Sequence, residues 1–270
     1  MKNTTSFLRW AGGKTKLVKK LLLFIPEDIQ KYRYIEPFIG GGSLFFTVSP
    51  KNAIISDLNT HLIKCYIFVR DNPEKVYKYL MFLANEHSSS SYYKIRDIYN
   101  SSEYSIEQAA RFIYLNKTSF NGIFRVNNNG KFNVPYGKKD SPVFPSLDQL
   151  VKASKILKYT QIYNYSYDDL PINYRNGDFV YLDPPYPPLN GTSFFTHYTS
   201  ERFNDDDQLH LANFAKKLDK NNCKIMISNA DTPRIRKYYN GWNINSLSVT
   251  RWITCKSIKH KVNELIITNY

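Results

Sequence analysis

The chain alternates short apolar runs with amphipathic stretches, and one long polar interval interrupts the rhythm. Apolar runs at 34–38 (Tyr-Ile-Glu-Pro-Phe), 53–57 (Ala-Ile-Ile-Ser-Asp), 160–163, 179–182 (Phe-Val-Tyr-Leu), 224–228 and 264–268 predict strands. Between them, 16–25, 60–70, 146–157 and 205–217 place apolar residues at helical spacing; in 60–70, Leu62, Ile63, Tyr66 and Ile67 share one side. Pro26 closes the first of these helices, because its ring removes a donor and crowds the turn before it. Repeated strand–helix units predict an α/β fold with a mostly parallel, twisted sheet, its ligands bound at the C-terminal strand ends.

From 72 to 148 the pattern changes. Helical segments at 74–86 and 105–115 lead into a polar, Asn-rich, basic stretch. There 124–126 and 131–134 flank Asn129-Gly130, a hairpin signal because the turn needs positive φ. The serine run 88–91 is the single low-complexity patch and reads as a solvated loop. The predicted organisation is one α/β core split into 1–71 and 149–270, with 72–148 inserted.

Charge narrows the partner. The 270 residues hold 37 Lys and Arg against 23 Asp and Glu, a net charge of +14, which points to a polyanion. Three cysteines, Cys65, Cys223 and Cys255, are too widely spaced for a disulfide framework or zinc ligands, so a reducing cytoplasm is expected and no metal is implied. No apolar segment is long enough to span a membrane, and the first six residues lack a signal-peptide core.

The most specific stretch is Asp183-Pro184-Pro185-Tyr186, directly after the 179–182 strand. Two prolines fix two φ angles and remove two donors, so the chain leaves the strand in one rigid shape. A carboxylate before this turn and an aromatic ring after it suit a planar amine on a base. The acid and a turn carbonyl accept its hydrogens while the ring stacks. The exocyclic nitrogen of adenine is a poor nucleophile, since its lone pair is delocalised. Two fixed acceptors favour a pyramidal nitrogen aimed at an electrophile, which is electrostatic preorganisation.

Gly40-Gly41-Gly42 follows the first strand and Asp57 ends the second. Glycines there admit close approach to the backbone, and an acid at the next strand end can accept ribose hydroxyls. Phosphate binding fits poorly. Gly13-Lys14-Thr15 resembles the end of a P-loop, but Leu8 stands where its first glycine belongs, and the triplet is not Gly-x-Gly-x-x-Gly. S-adenosylmethionine has a ribose and no phosphate, which suits this combination. A tight strand–helix turn explains the glycines equally well.

Taken together, Trp10-Ala11-Gly12-Gly13-Lys14, the 36–43 stretch Glu-Pro-Phe-Ile-Gly-Gly-Gly-Ser, and Asp183-Pro184-Pro185-Tyr186 resemble the Dam-type (α-class) DNA adenine-N6 methyltransferases. This group includes solitary Dam enzymes and methylases of restriction systems that read GATC. The similarity covers essentially the whole chain, in the family's motif order. It implies a Rossmann-like fold, S-adenosylmethionine as cofactor, and an inserted, mainly helical recognition domain carrying a β-hairpin. It implies donor contacts from Trp10, Lys14, Phe38, Gly40, Asp57 and Asp183, with Ser166 and Tyr167 around the donor's adenine. Many members have an acid where Ser166 stands.

The 116–127 and 130–137 segments resemble the family's recognition hairpin. Arg125 stands where an arginine reads guanine, and a bidentate fork to O6 and N7 supplies the physical reason. Ile123 falls at a base-contacting position, Phe120 at an aromatic inserted beside the extruded adenine, and Asn121 at a phosphate contact. Lys138 and Lys139 are candidates for sequence-independent contacts. Phe120 beside Gly122 could equally be core, and a lone hairpin arginine could be solvated or phosphate-bound. Residues 194–198 resemble the loop around the flipped base. Ser228-Asn229 ends a strand at the ligand edge, or caps a helix.

These readings imply double-stranded DNA as partner, a flipped target base, and a cognate restriction endonuclease as a further candidate partner. Cytosine-C5 chemistry is disfavoured, since no proline precedes any cysteine. Cytosine-N4 methylation uses the same amine logic, but Asp rather than Ser precedes Pro184. A catalytically silent DNA-binding protein is the alternative of another class, opposed by intact Lys14, Asp57, Asp183 and Tyr186.

Overall fold

The computed structural model describes residues 5–186, 203–252 and 259–270. Its strands are β1 (Arg33–Glu36), β2 (Ala53–Ser56), β3 (Thr160–Tyr163), β4 (Asp178–Leu182), β5 (Lys224–Ala230), β6 (Asn243–Trp252) and β7 (Lys259–Thr268). They form one seven-stranded sheet in the order β3-β2-β1-β4-β5-β7-β6. The first five are parallel; β7 runs antiparallel between β5 and β6.

Both faces of the sheet are covered, which is why its central strands read as continuous apolar runs. Tyr34, Ile55, Phe179, Tyr181 and Met226 point to one face. Their neighbours Ile35, Ile54, Val180, Leu182 and Ile227 point to the other, by the two-residue period of a strand. The second face packs on α8 (Asp205–Lys220) and α9 (Pro233–Tyr238) through Leu211, Ala215 and Ile235. The first packs on α2 (Ser43–Val48), α3 (Thr60–Asp71) and α7 (Leu147–Leu157). Residues of the 72–148 segment, in α4 (Pro73–Asn85), α5 (Ser89–Ser101) and α6 (Ile106–Thr118), join that same apolar cluster through Leu80, Tyr92 and Phe112.

Three local expectations change. The 16–25 helix shrinks to α1 (Val18–Leu21) followed by one 3-10 turn, Leu22–Phe24, with Ile25 already extended before Pro26. The residue before a proline is driven out of the helical region. The serine run is not a loop: Ser88 Oγ accepts the Ser91 N–H as an N-cap, and the next three serines form the first turn of α5. Tyr92, Ile95 and Tyr99 then bury one face at helical spacing. The strand β6 and the short helix α9 lie where no element is expected. The hairpin turn forms with Gly130 at φ +71°, but its ladder is a single bridge, Val126 to Phe132.

Among the described residues, no helix is long and apolar enough to cross a membrane, and no group of His, Cys, Asp or Glu is arranged to hold a metal ion.

Candidate active site

Strand order reverses between β1 and β4, so their C-terminal ends open a crevice in which loops from neighbouring strands diverge. The glycine loop leaves β1 on one side and Asp183 leaves β4 on the other. Because β7 is antiparallel, its Glu264 pairs in register with Ala230 at the end of β5, and so reaches the same edge.

Four polar side chains converge there. Lys14 Nζ lies 2.7 Å from Asp183 Oδ1 and 3.8 Å from Glu264 Oε2. It donates to the Gly12 carbonyl at 3.1 Å and sits 4.6 Å from the Tyr186 ring centroid. The Tyr186 hydroxyl donates to Glu264 Oε2 at 3.0 Å. Lys14 and Glu264 are buried, so this ammonium–carboxylate set acts where water screens little. Burial, reinforced by the Asp183 and Glu264 charges, pushes the Tyr186 phenol well above its ordinary range and keeps it a donor. Beneath them Glu36 accepts the Tyr34 hydroxyl at 2.6 Å. Burial raises the Glu36 carboxyl well above its usual range, against that hydrogen bond and aided by Asp183.

The Asp-Pro-Pro-Tyr turn is held from below. Gln208 Nε2 donates to the Pro185 carbonyl at 3.0 Å, and Asn229 Nδ2 donates to Gln208 Oε1 at 2.8 Å. The Ala230 N–H donates to Asn229 Oδ1 at 2.8 Å, which completes a relay whose side chains, Gln208 and Asn229, are both buried. Asn229 therefore caps no helix; Thr232 caps α9. Its neighbour Ser228 is hydrogen-bonded to the Tyr181 hydroxyl at 2.8 Å.

The glycine triplet is required by internal packing. Gly40 and Gly42 have φ of +45° and +65°. A Cβ on Gly40 would lie 2.8 Å from the Trp10 indole, and one on Gly42 would lie 2.9 Å from the Phe46 ring. Asp57 ties the loop down: the Gly40 N–H donates to Oδ2 at 3.0 Å and the Asn59 N–H to Oδ1 at 2.9 Å. Burial raises the Asp57 carboxyl to about 6, although both N–H groups pull the other way. Phe38 and Tyr167 face each other with centroids 5.2 Å apart, and Tyr167 shares a 2.8 Å hydrogen bond with His210 Nδ1. Ser166, beside them, donates to Asp168.

The hairpin residues lie apart from this cluster but are stitched to it. Asn116 Oδ1 accepts the Arg9 N–H at 2.8 Å while its Nδ2 donates to the Arg9 carbonyl at 2.7 Å. This pins the end of α6 to the segment carrying Trp10 and Lys14. Trp10 also stacks on Phe124, with centroids 6.0 Å apart and planes 17° from parallel. Phe120 is half exposed rather than core, and Asn121 has φ +55°. Ile123 is half-buried. Arg125 is exposed, its Nε donating to Asn133 Oδ1 at 2.8 Å. Lys138 is exposed, whereas the Lys139 ammonium turns inward to the Lys117 carbonyl at 2.5 Å. Burial, and then the nearby Arg9 charge, lowers both Lys117 and Lys139 to about 8. Residues 194–198 lie outside the described residues.

Sequence reading missed Glu264, Glu36 and Gln208. Gln208 was visible as a polar residue on the 208, 211, 212, 215 apolar stripe of α8. Glu264 gave a weaker signal, an acid opening an apolar strand.

A mostly parallel sheet with one antiparallel strand inserted near its edge, a glycine loop after β1 and an Asp-Pro-Pro-Tyr turn after β4 define a Rossmann-like methyltransferase fold. The chain belongs to the D12 class N6 adenine-specific DNA methyltransferase family, which matches residues 10–253. It is 40% identical to the Type II methyltransferase M.MjaIII of Methanocaldococcus jannaschii over 98% of each chain. It is 38% identical to the Type II methyltransferase M1.LlaDCHI of Lactococcus lactis subsp. cremoris, over 99% of this chain and 96% of that one. Identity to the DNA adenine methylase of Escherichia coli K12 is 33%, over 98% and 95% of the two chains. The protein is thus an enzyme, an adenine-specific DNA methyltransferase.

Proposed function

We propose that the enzyme transfers a methyl group from S-adenosylmethionine to N6 of an adenine extruded from duplex DNA, within GATC. The observation that carries the reading is the placement of Asp183. Its carboxylate leaves β4 at the switch point, beside a rigid two-proline turn and the Tyr186 ring.

The residues present fit the cofactor. Asp57 has one N–H on each oxygen, and a carboxylate offers about four acceptor sites, so ribose hydroxyls can be added. Phe38 and Tyr167 offer ring faces for an adenine, with Ser166 alongside. Gly40 and Trp10 meet at the glycine loop that Asp57 holds, and Lys14 reaches from the preceding segment to Asp183. S-adenosylmethionine, when bound, supplies a methyl group on a cationic sulfur. Asp183 and a turn carbonyl accept the two amine hydrogens and so localise the nitrogen lone pair toward that methyl; Tyr186 stacks on the base. Pro184 and Pro185 keep the acceptors still, because neither φ can relax. The amine must leave the stack to reach this edge, which requires base flipping.

Residues 72–148 form the recognition part and 1–71 with 149–270 the catalytic part. Arg125 reads a guanine, Ile123 contacts a base, Phe120 fills the gap beside the extruded adenine, and Asn121 and Lys138 meet phosphates; Lys139, expected among the phosphate contacts, is turned inward to the Lys117 carbonyl instead. The Type II names of two relatives support pairing with a restriction endonuclease on the same site.

The test is methyl transfer from labelled S-adenosylmethionine to a GATC duplex. Asp183→Ala should lower turnover by about 10²–10³-fold, the usual loss for one preorganised electrostatic partner, with DNA affinity nearly kept. Near-normal turnover in a folded variant would sink the amine-acceptor role. Sequencing modified bases in DNA from expressing cells reads the target; methylation at another motif would replace GATC.

A further inference from the structure

Glu264 is a buried acid, 3% exposed, at the head of an otherwise apolar stretch of β7. A carboxylate held there loses hydration that its partners must offset, so packing alone would favour an apolar residue. Among the described residues two of its partners are in the site: the Tyr186 hydroxyl at 3.0 Å and the Lys14 ammonium at 3.8 Å.

We propose that Glu264 is a positioning residue for methyl transfer, fixing through the hydroxyl where the Tyr186 ring stands and hence where the adenine that stacks on it lies. A tyrosine ring has two soft torsions, and backbone rigidity at Pro185 fixes neither. A tether at the hydroxyl, the side-chain atom farthest from the backbone, holds the first and so sets where the ring stands; the second is biased by the direction of the bond, because a phenolic O–H prefers the ring plane. The acceptor is on β7, which is paired on both sides at this residue, so it moves no more than the sheet does. Tyr186 stays protonated in these surroundings and can always donate. Acceptance by a carboxylate makes the bond about twice as strong as a neutral one. The backbone end of the turn is fixed separately, by Gln208 on the Pro185 carbonyl. The stacking platform is thus held at both ends by side chains from α8 and β7, neither of which belongs to the motif.

This inference rests on the reading of Tyr186 as the adenine platform. It is tested by a double-mutant cycle on single-turnover methyl transfer with saturating donor and GATC duplex, using Glu264→Ala, Tyr186→Phe and the pair. Tyr186→Phe keeps the ring and removes the tether. Each single variant should lose on the order of tenfold in rate. The double variant should lose no more than the worse single one, because both changes cut the same bond. Glu264→Gln keeps an acceptor and should recover most of the rate; it also covers the case in which Glu264→Ala does not fold. Multiplying losses in the double variant, or Glu264→Gln as slow as Glu264→Ala, would overturn the tether. So would a loss confined to donor affinity in calorimetry, which would place the action of Glu264 on Lys14. Normal turnover in Asp183→Ala sinks the amine site itself, whereas normal turnover in Tyr186→Phe alone sinks only the anchor.

Discussion

Asp57 is the side chain of the site through which pH should act first. Its carboxyl is raised to about 6 by burial, so between its ordinary value and about 6 the folded chain holds a proton that the unfolded chain has lost. Its stabilising share is complete in acid and disappears as pH rises through about 6; ionised Asp57 opposes folding at neutral pH. Donor binding has the opposite sign. If the ionised carboxylate accepts ribose hydroxyls, calorimetric affinity for S-adenosylmethionine should fall as pH drops from about 8 to about 5. Asp57→Asn should flatten that limb. A limb that persists in Asp57→Asn would belong to another group. Arg125 poses a question of specificity instead. Its guanidinium is steadied by Asn133, which leaves the fork less to lose on ordering. Arg125→Ala should cost about 1–3 kcal/mol at one guanine and relax discrimination there, measured as initial rates on GATC and single-substitution duplexes. Uniformly weaker binding with discrimination kept would make it a phosphate contact.

Between the α6 helix and the hairpin, the chain turns through one position, Gly122, that allows no ordinary side chain. Gly122 has φ +66°, and a Cβ there would lie 2.8 Å from Arg9 Cδ and 3.1 Å from the Asn116 carbonyl. Gly122→Ala should therefore destabilise by about 1–3 kcal/mol, and should disturb the Arg9–Asn116 pairing that joins the hairpin to the segment carrying Trp10 and Lys14. Thermal melting reports the first effect. Loss of DNA discrimination with retained donor affinity reports the second. Elements with strong periodicity, such as α3, α7 and β4, were legible to within a residue or so. The failures have local causes. Serine is a poor helix former but a good cap, so composition hid α5 even though Tyr92, Ile95 and Tyr99 announced it. The strand β6 is polar because it lies at the sheet edge and pairs only with β7, so it lacks the apolar run that marked the central strands.

Over the whole molecule, a net charge of +14 should make DNA binding strongly dependent on salt. Each phosphate-bound cation contributes about −0.9 to the slope of log K against log salt. Lys138→Ala should make that slope shallower by about one and weaken all sequences alike, whereas Arg125→Ala in its guanine-reading role leaves the slope nearly unchanged. Fluorescence titrations at several salt concentrations distinguish the two. An unchanged slope in Lys138→Ala would remove it from the phosphate contacts.

The sequence by itself determined the α/β alternation and the groups that Asp183-Pro184-Pro185-Tyr186 sets side by side, because these depend on period, turn residues and functional groups adjacent in the chain. The tertiary structure alone decided which distant groups meet them. Lys14 and Glu264 stand 250 positions apart, yet strand order and the reversed direction of β7 bring them within 3.8 Å at one sheet edge. Gln208 and Asn229 were readable only as a polar residue on a helix and one at a strand end until the packing of α8 on the sheet joined them to the Pro185 carbonyl. The glycine triplet shows the same limit. Its sequence allowed close approach by something, and only the packed structure placed the Trp10 indole there. Local pattern fixes which groups a segment offers; long-range pairing fixes their partners, and no local pattern encodes that distance.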